Sequence, residues 1–400
     1  MIETRIAALV VILLIAAAIA VVARRAAVPY ETALAIVGLG VGLIIGSRPI
    51  HLTSSLILFV LLPGLLFESS FNIRWRHVRD NLAAIVGLST VGVLLTTAVV
   101  GFLGSLSLQL ALPVAILFGA LVSPTDPVAV TAVFRRIGVP SRLIDLVESE
   151  ALLNDGTGAI VFAIALAATQ GGQLAPGPAV LTFLQLGLGG CALGVAVGLL
   201  LSLVTSRLDD PQVEITLTGI AAYGGYLVAD YLHVSPILCV VCAGFVLGNV
   251  GRPKGMSERT QAAVDVFWDY VSFLLNTAVF VLIGLDVPWE AIIRVWPLVL
   301  AAAGILLVAR ALAVYPLLIV LRPLGRRINL RWQHLMVWSG LRGAVALALL
   351  LSLQTSGPGA YQSLRGLVYG VVLISIIVQG LTMGPVARVL LPHRPGHPHT

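Results

Sequence analysis

Apolar positions in this chain fall in long unbroken runs rather than at a two-residue or 3.6-residue period. A run of about twenty apolar residues spans a hydrocarbon core of about 30 Å as a helix. Such runs recur along the whole sequence, separated by short clusters of arginine, proline and glycine. They predict thirteen spans near 6–23, 28–46, 51–71, 80–103, 109–134, 140–169, 178–205, 212–231, 233–250, 258–285, 289–321, 332–354 and 361–391. No interval between them holds a second folded domain, so 1–400 reads as a single all-α polytopic membrane domain. Arg24 and Arg25 follow the first run and Arg5 alone precedes it. That charge order predicts a retained spanning helix rather than a cleaved signal peptide. The Pro/His-rich tail 393–400 is expected to be disordered, without a metal site.

Two runs carry an interruption. In the fifth span, Ser123–Pro127 reads S-P-T-D-P, with a proline on each side of Thr125-Asp126. Proline removes a backbone donor and clashes with the preceding turn, so the helix breaks where the acid sits. In the twelfth, Ser339–Gly343 reads S-G-L-R-G, a small-residue break with Arg342 near its centre. This placement suits two inverted repeats whose discontinuous helices cross near the midplane, one break holding an acid and the other a base.

Composition agrees with the run pattern. The chain is 58% hydrophobic and 10% charged, with a mean hydropathy of +1.03, far from the balance of a soluble domain. The net charge of +6 would suggest a nucleic-acid partner in a soluble protein. Here the basic residues sort by loop instead. Eighteen lie in alternate loops, among them Arg24, Arg74, Arg135, Arg252 and Arg322, against four (Arg5, Arg48, Arg294, Arg365) on the other side. The arginine-rich side is cytoplasmic, which predicts an outside N-terminus, a cytoplasmic C-terminus and no nucleic-acid role. Cys239 and Cys242 form C-x-x-C with no second pair or histidine nearby, and are expected to be small buried hydrophobes rather than a redox or metal site.

The remaining charges lie at depth. A carboxylate at mid-membrane costs about 2.5–3.5 kcal/mol on insertion scales and therefore marks a function. Asp155 stands halfway along span six in E-A-L-L-N-D (Glu150–Asp155). Ala151 and Glu148 share its helical face, whereas Glu150, five residues back, points about 140° away. Glu150 therefore needs its own partner. Arg310, inside I-L-L-V-A-R-A-L-A, is the preferred one. Arg342 either neutralises helix ends at the crossing or joins the same network. Freed carbonyls around Thr125, with Asp126, form a candidate cation site, and Glu68 in span three is a further acid that either binds the ion or lines a funnel. Burial disfavours a carboxylate's charged form and a bound cation restores it. Asp155 can thus hold a proton or a cation in turn, the chemistry of an antiporter, with no covalent step and no cofactor. A channel filter of the T-V-G-Y-G kind is missing from the sequence, as are the H-E-x-x-H and G-x-G-D contexts of membrane proteases.

At these residues the chain resembles the cation/proton antiporter superfamily, specifically the NhaP-type sodium/proton exchangers. The matches are Thr125-Asp126, E-A-L-L-N-D-G (Glu150–Gly156), F-W-D-Y-V-S-F-L-L-N-T-A-V-F-V-L-I-G (Phe267–Gly284) and G-L-R-G-A-V-A-L-A-L (Gly340–Leu349), in family order over essentially the whole chain. The resemblance implies a thirteen-helix inverted-repeat fold in the cell membrane and a homodimer that exchanges sodium for protons. Core helices would lie near 80–169 and 289–391, moving elevator-fashion against scaffold helices mostly among 6–71 and 178–285. It implies Asp155 as the ion-binding aspartate, with Asp126 and Glu68 matching further family acids. Asn154 places the chain in the electroneutral branch and would brace the unwound helix against Thr125. Ala151 departs from the serine of members that write E-S-L-L-N-D, which removes an oxygen ligand and leaves sodium, lithium and potassium as rival cargoes.

Overall fold

The computed structural model describes residue 19 and residues 29–45, 53–171, 176–324 and 327–391. The expected span 6–23, apart from Ile19, and the tail 393–400 lie outside them. Among the described residues every regular element is helical, and each expected span from the second onward corresponds to a continuous or broken helix. In chain order these are α1 (Tyr30–Ile45), α2 (Leu56–Asn72) and α3 (Trp75–Ser107). The broken pair α4 (Leu112–Val122) and α5 (Val128–Arg136) follows, then α6 (Ser141–Thr169), α7 (Pro176–Thr205) and α8 (211–231). Next come α9 (Pro236–Gly255), α10 (Glu258–Leu285) and α11 (Trp296–Val320). The second broken pair, α12 (Leu330–Trp338) and α13 (Ala344–Ser356), precedes α14 (Pro358–Leu390).

Local sequence sets where the helices start. Asp210, Ser235, Ser257 and Asn329 accept hydrogen bonds from the first-turn amides of α8, α9, α10 and α12, satisfying donors that a helix leaves open. Pro211 and Pro236 occupy first turns, where a missing N–H costs nothing. Trp289–Arg294 forms a separate short helix ahead of α11, so the expected span 289–321 is two elements.

Packing divides the helices into two groups. In one, α1 lies along α10, α2 along α9 and α10, and α7 along α9. Small residues permit that last approach: a Cβ at Gly194 would sit 2.2 Å from the Cys239 carbonyl oxygen. Cys239, whose thiol donates to the Gly225 carbonyl at 3.4 Å, is a buried packing group in this contact. In the other group α3 packs on α4 and α11, α4 on α6, α11 on α14, and α13 on α14. The seam between the groups runs where α2 and α10 face the broken pairs.

The two breaks meet. The Asp126 amide donates to the Leu341 carbonyl at 2.8 Å, joining the interruption of one pair to that of the other. The contact leaves no space for a side chain: a Cβ on Gly343 would lie 2.1 Å from Asp126 Oδ2. Gly343→Ala is therefore expected to destabilise the protein by about 1–3 kcal/mol or more through overpacking. Gly219→Ala, at a helical glycine with nothing within 4 Å, should be neutral or stabilising. Thermal unfolding of the two purified variants in detergent checks the contrast; equal melting temperatures would reject the crossing geometry.

Candidate functional site

The broken helices leave backbone groups without helical partners in an apolar interior, and the nearby side chains supply the replacements. Arg342, 2% exposed, donates from Nη1 to the carbonyls of Ser123 and Pro124, each at 3.2 Å. Those carbonyls end α4, where the helix dipole is negative. The Arg342 amide donates to Ser375 Oγ at 2.6 Å. Asp126 does the opposite task. Its Oδ1 accepts from the Val128 amide at 3.0 Å, and its carboxylate also accepts from the Ala344 amide. It thus caps the N-termini of α5 and α13 together. Of the two roles open to Arg342, the structure shows the helix-end contact.

Asn154 ties α6 to the same break. Its Nδ2 donates to Thr125 Oγ1 at 2.7 Å, its Oδ1 accepts from the Thr125 amide at 3.0 Å, and Nδ2 also lies 3.2 Å from Glu150 Oε1. Glu150 in turn is held by Arg310 in a two-pronged pair, Nη1 to Oε1 and Nη2 to Oε2, both 2.7 Å. Arg310 Nε donates to the Met336 carbonyl at 3.3 Å, which anchors the pair to α12. Glu150 and Arg310 are 1% and 6% exposed, so each would be an uncompensated buried charge alone.

Asp155 stands apart from this network. It lines a chamber of about 50 Å³ at the seam, with Thr125 and Asp126 from the break, Gly343 from the other break, and Ser69 and Asn276 from α2 and α10. That volume admits a few water-sized particles. Among the described residues no hydrogen bond or ion pair engages the Asp155 carboxylate, and no hydrogen bond ends on the Thr125 carbonyl. The chamber therefore offers free oxygen acceptors of the hard kind that suits a small cation.

Not every sequence-predicted site residue reaches this chamber. Glu68 lies in a separate cavity of about 790 Å³ and accepts from Asn72 Nδ2 at 2.8 Å. It is absent from the chamber lining, to which α2 contributes Leu62, Leu65, Leu66 and Ser69. Of the carbonyls freed near Thr125, those of Ser123 and Pro124 accept from Arg342. Glu148, expected on the Asp155 face, turns to Arg135 Nη2 at 2.7 Å and lines the larger cavity. Sequence reasoning passed over Glu31, in the first turn of α1, which lines that cavity as well. An acid at the start of an otherwise apolar run was the available signal. The five residues Leu65, Ser69, Pro127, Val128 and Asn276 line both spaces and separate them.

Comparison with known proteins adds to this geometry. The model of the transmembrane sodium/hydrogen exchanger family matches residues 10–389. The chain is 38% identical over 366 residues to the Na(+)/H(+) antiporter ApNhaP of Aphanothece halophytica, covering 91% of this chain and 70% of that protein. It is 37% identical over 349 residues to the Na(+)/H(+) antiporter NhaP of Pseudomonas aeruginosa, covering 84% and 81%. Its fold is similar to that of the sodium proton antiporter MjNhaP1 from Methanocaldococcus jannaschii, with a TM-score of 0.77 at 22% identity over 98% of this chain and 100% of that one.

The ion pair generates a test. Glu150→Gln or Arg310→Gln is expected to cost about 3–5 kcal/mol by stranding the partner charge. The double variant should recover part of that loss. A double-mutant cycle on thermal stability in detergent measures the coupling, and additive losses would contradict the pairing.

Proposed function

The chain belongs to the sodium/hydrogen exchanger family of multi-pass membrane transporters, and on that premise we propose that it exchanges one monovalent cation, sodium in the first instance, for one proton at Asp155. The observation that carries this reading is a buried carboxylate whose oxygens face a small chamber while the charges around it, Glu150, Arg310, Arg342 and Asp126, are held by fixed partners. Protonation and cation binding compete for one carboxylate, so loading either ion expels the other. Thr125 supplies a carbonyl ligand, and bound water replaces the serine oxygen missing at Ala151. Asp126 lines the chamber but acts mainly through its caps on α5 and α13. Asn154 holds the break in place and carries no charge through the cycle. One titrating site then gives electroneutral exchange.

The larger cavity, with Glu68 in its wall, is the aqueous approach from the cytoplasm. In this arrangement the N-terminus is outside and the C-terminus inside, as the arginine distribution favours. The group holding both breaks, within 80–169 and 289–391, would move as the core. Helices among 6–71 and 178–285 would form the stationary scaffold of a homodimer. The cycle needs no cofactor beyond the transported ions.

Asp155→Asn should abolish sodium-dependent dequenching of a pH-sensitive dye in everted vesicles while leaving the protein folded and inserted. Adding sodium, lithium and potassium in turn to the wild type ranks the cargo. Substantial activity in Asp155→Asn would end the assignment. A further expectation concerns stoichiometry. In liposomes clamped with potassium and valinomycin, once potassium is shown not to be a substrate, the sodium-driven rate should not respond to voltage. A response matching one net charge, about 2.3 kcal/mol per 100 mV, would mean that a second carboxylate titrates in the cycle.

A further inference from the structure

Glu31 is a buried acid to which the exchange chemistry above gives no task. It is 6% exposed and lines the base of the large cavity with Pro127, Val128 and Thr131 of the first broken pair. One carboxylate oxygen, Oε2, is sealed from solvent and has no hydrogen-bond partner. A buried oxygen without a donor is costly, and more so when charged. Its neighbours Tyr30 and Thr32 are engaged, by Thr277 Oγ1 at 2.8 Å and by the Ile376 carbonyl at 3.2 Å, so the helix start cannot simply swing the side chain away.

The charges around it make the cavity attractive to cations. Two of its acids are neutralised, Glu148 by Arg135 at 2.7 Å and Asp265 by Arg252 at 2.5 Å. Glu31, Glu68 and Asp269 then face Arg74 as the only other basic residue of the lining among the described residues. Glu68 already accepts from Asn72 and Ser69, and Asp269 stands at the exposed edge of α10. Glu31 is the acid that is both deep and undersatisfied. It lies beside Pro127 and Val128, which also wall the Asp155 chamber.

We propose that Glu31 is a staging site for the transported monovalent cation, holding it at the base of the cavity before it passes Ser69 and Asn276 to Asp155. The inference rests on the exchange reading of Asp155. A cation in the cavity beside Glu31 offsets the buried charge that the protein leaves undersatisfied, and the carboxylate raises the local cation concentration next to the chamber. Both polar residues at the partition offer oxygen to an ion shedding its water, and both belong to helices of the group opposite Asp155.

The test uses the full chain purified and reconstituted in liposomes, with proton flux measured against sodium concentration for wild type, Glu31→Gln, Glu31→Asp and Asp155→Asn. Glu31→Gln should raise the KM for sodium about tenfold, the low end of electrostatic focusing, with a smaller change in kcat. Glu31→Asp should stay near the wild type. Added choline chloride should weaken sodium dependence in the wild type more than in Glu31→Gln, because screening removes what the substitution has already removed. A wild-type KM in Glu31→Gln would overturn the proposal. So would a loss of kcat in Glu31→Gln and Glu31→Asp alike, which would make Glu31 structural. Activity in Asp155→Asn would instead overturn the exchange reading on which the proposal stands.

Discussion

A helix interrupted in an apolar interior exposes carbonyls on one side of the break and amides on the other, and lipid offers neither a partner. Every feature of the site follows from how this chain meets that constraint. Arg342 takes the carbonyls at the end of α4, and Asp126 takes the amides at the start of α5 and α13. Each charge comes from the break of one pair and serves the other, so the two interruptions stabilise each other. Removing either residue would strand the backbone groups it holds.

The same arrangement separates charges that hold the structure from the charge that works. Glu150 is fixed by Arg310 and lies one turn from Asn154, which fixes Thr125. The network thus runs from α11 through α6 to the break, and it positions Asp155 on the next residue of α6 without engaging it. An aspartate bonded as firmly as Glu150 could not release and rebind an ion. An aspartate in an unbraced break would not keep a fixed distance to the Thr125 carbonyl. The small chamber and the rigid surround are two parts of one requirement.

Much of this was legible in the sequence because membrane burial makes charge rare. The prolines around Thr125-Asp126 gave the first break and the S-G-L-R-G run gave the second. Glu150 pointed away from Asp155 by helical spacing, and Arg310 was one of two basic residues at depth. Side-chain direction within the breaks was not legible. Whether Arg342 met carbonyls or a carboxylate depended on how two irregular segments cross, which no period encodes. Glu68 lies near the end of its span, and the next residue, Ser69, lines both the cavity and the chamber, a difference of one position that apolar runs do not resolve. Glu31 was hidden because it begins a span, where an acid ordinarily means an exposed cap.

The central claim is that one carboxylate holds either a proton or a cation, and proton release on cation binding tests it directly. Titration calorimetry of the purified protein with sodium, repeated in buffers of different ionisation enthalpy, counts protons released per cation bound. The account predicts a release that approaches one proton per sodium as pH is lowered, and no sodium-linked release in Asp155→Asn. Sodium binding that releases no proton at any pH, or release that survives Asp155→Asn, would contradict it.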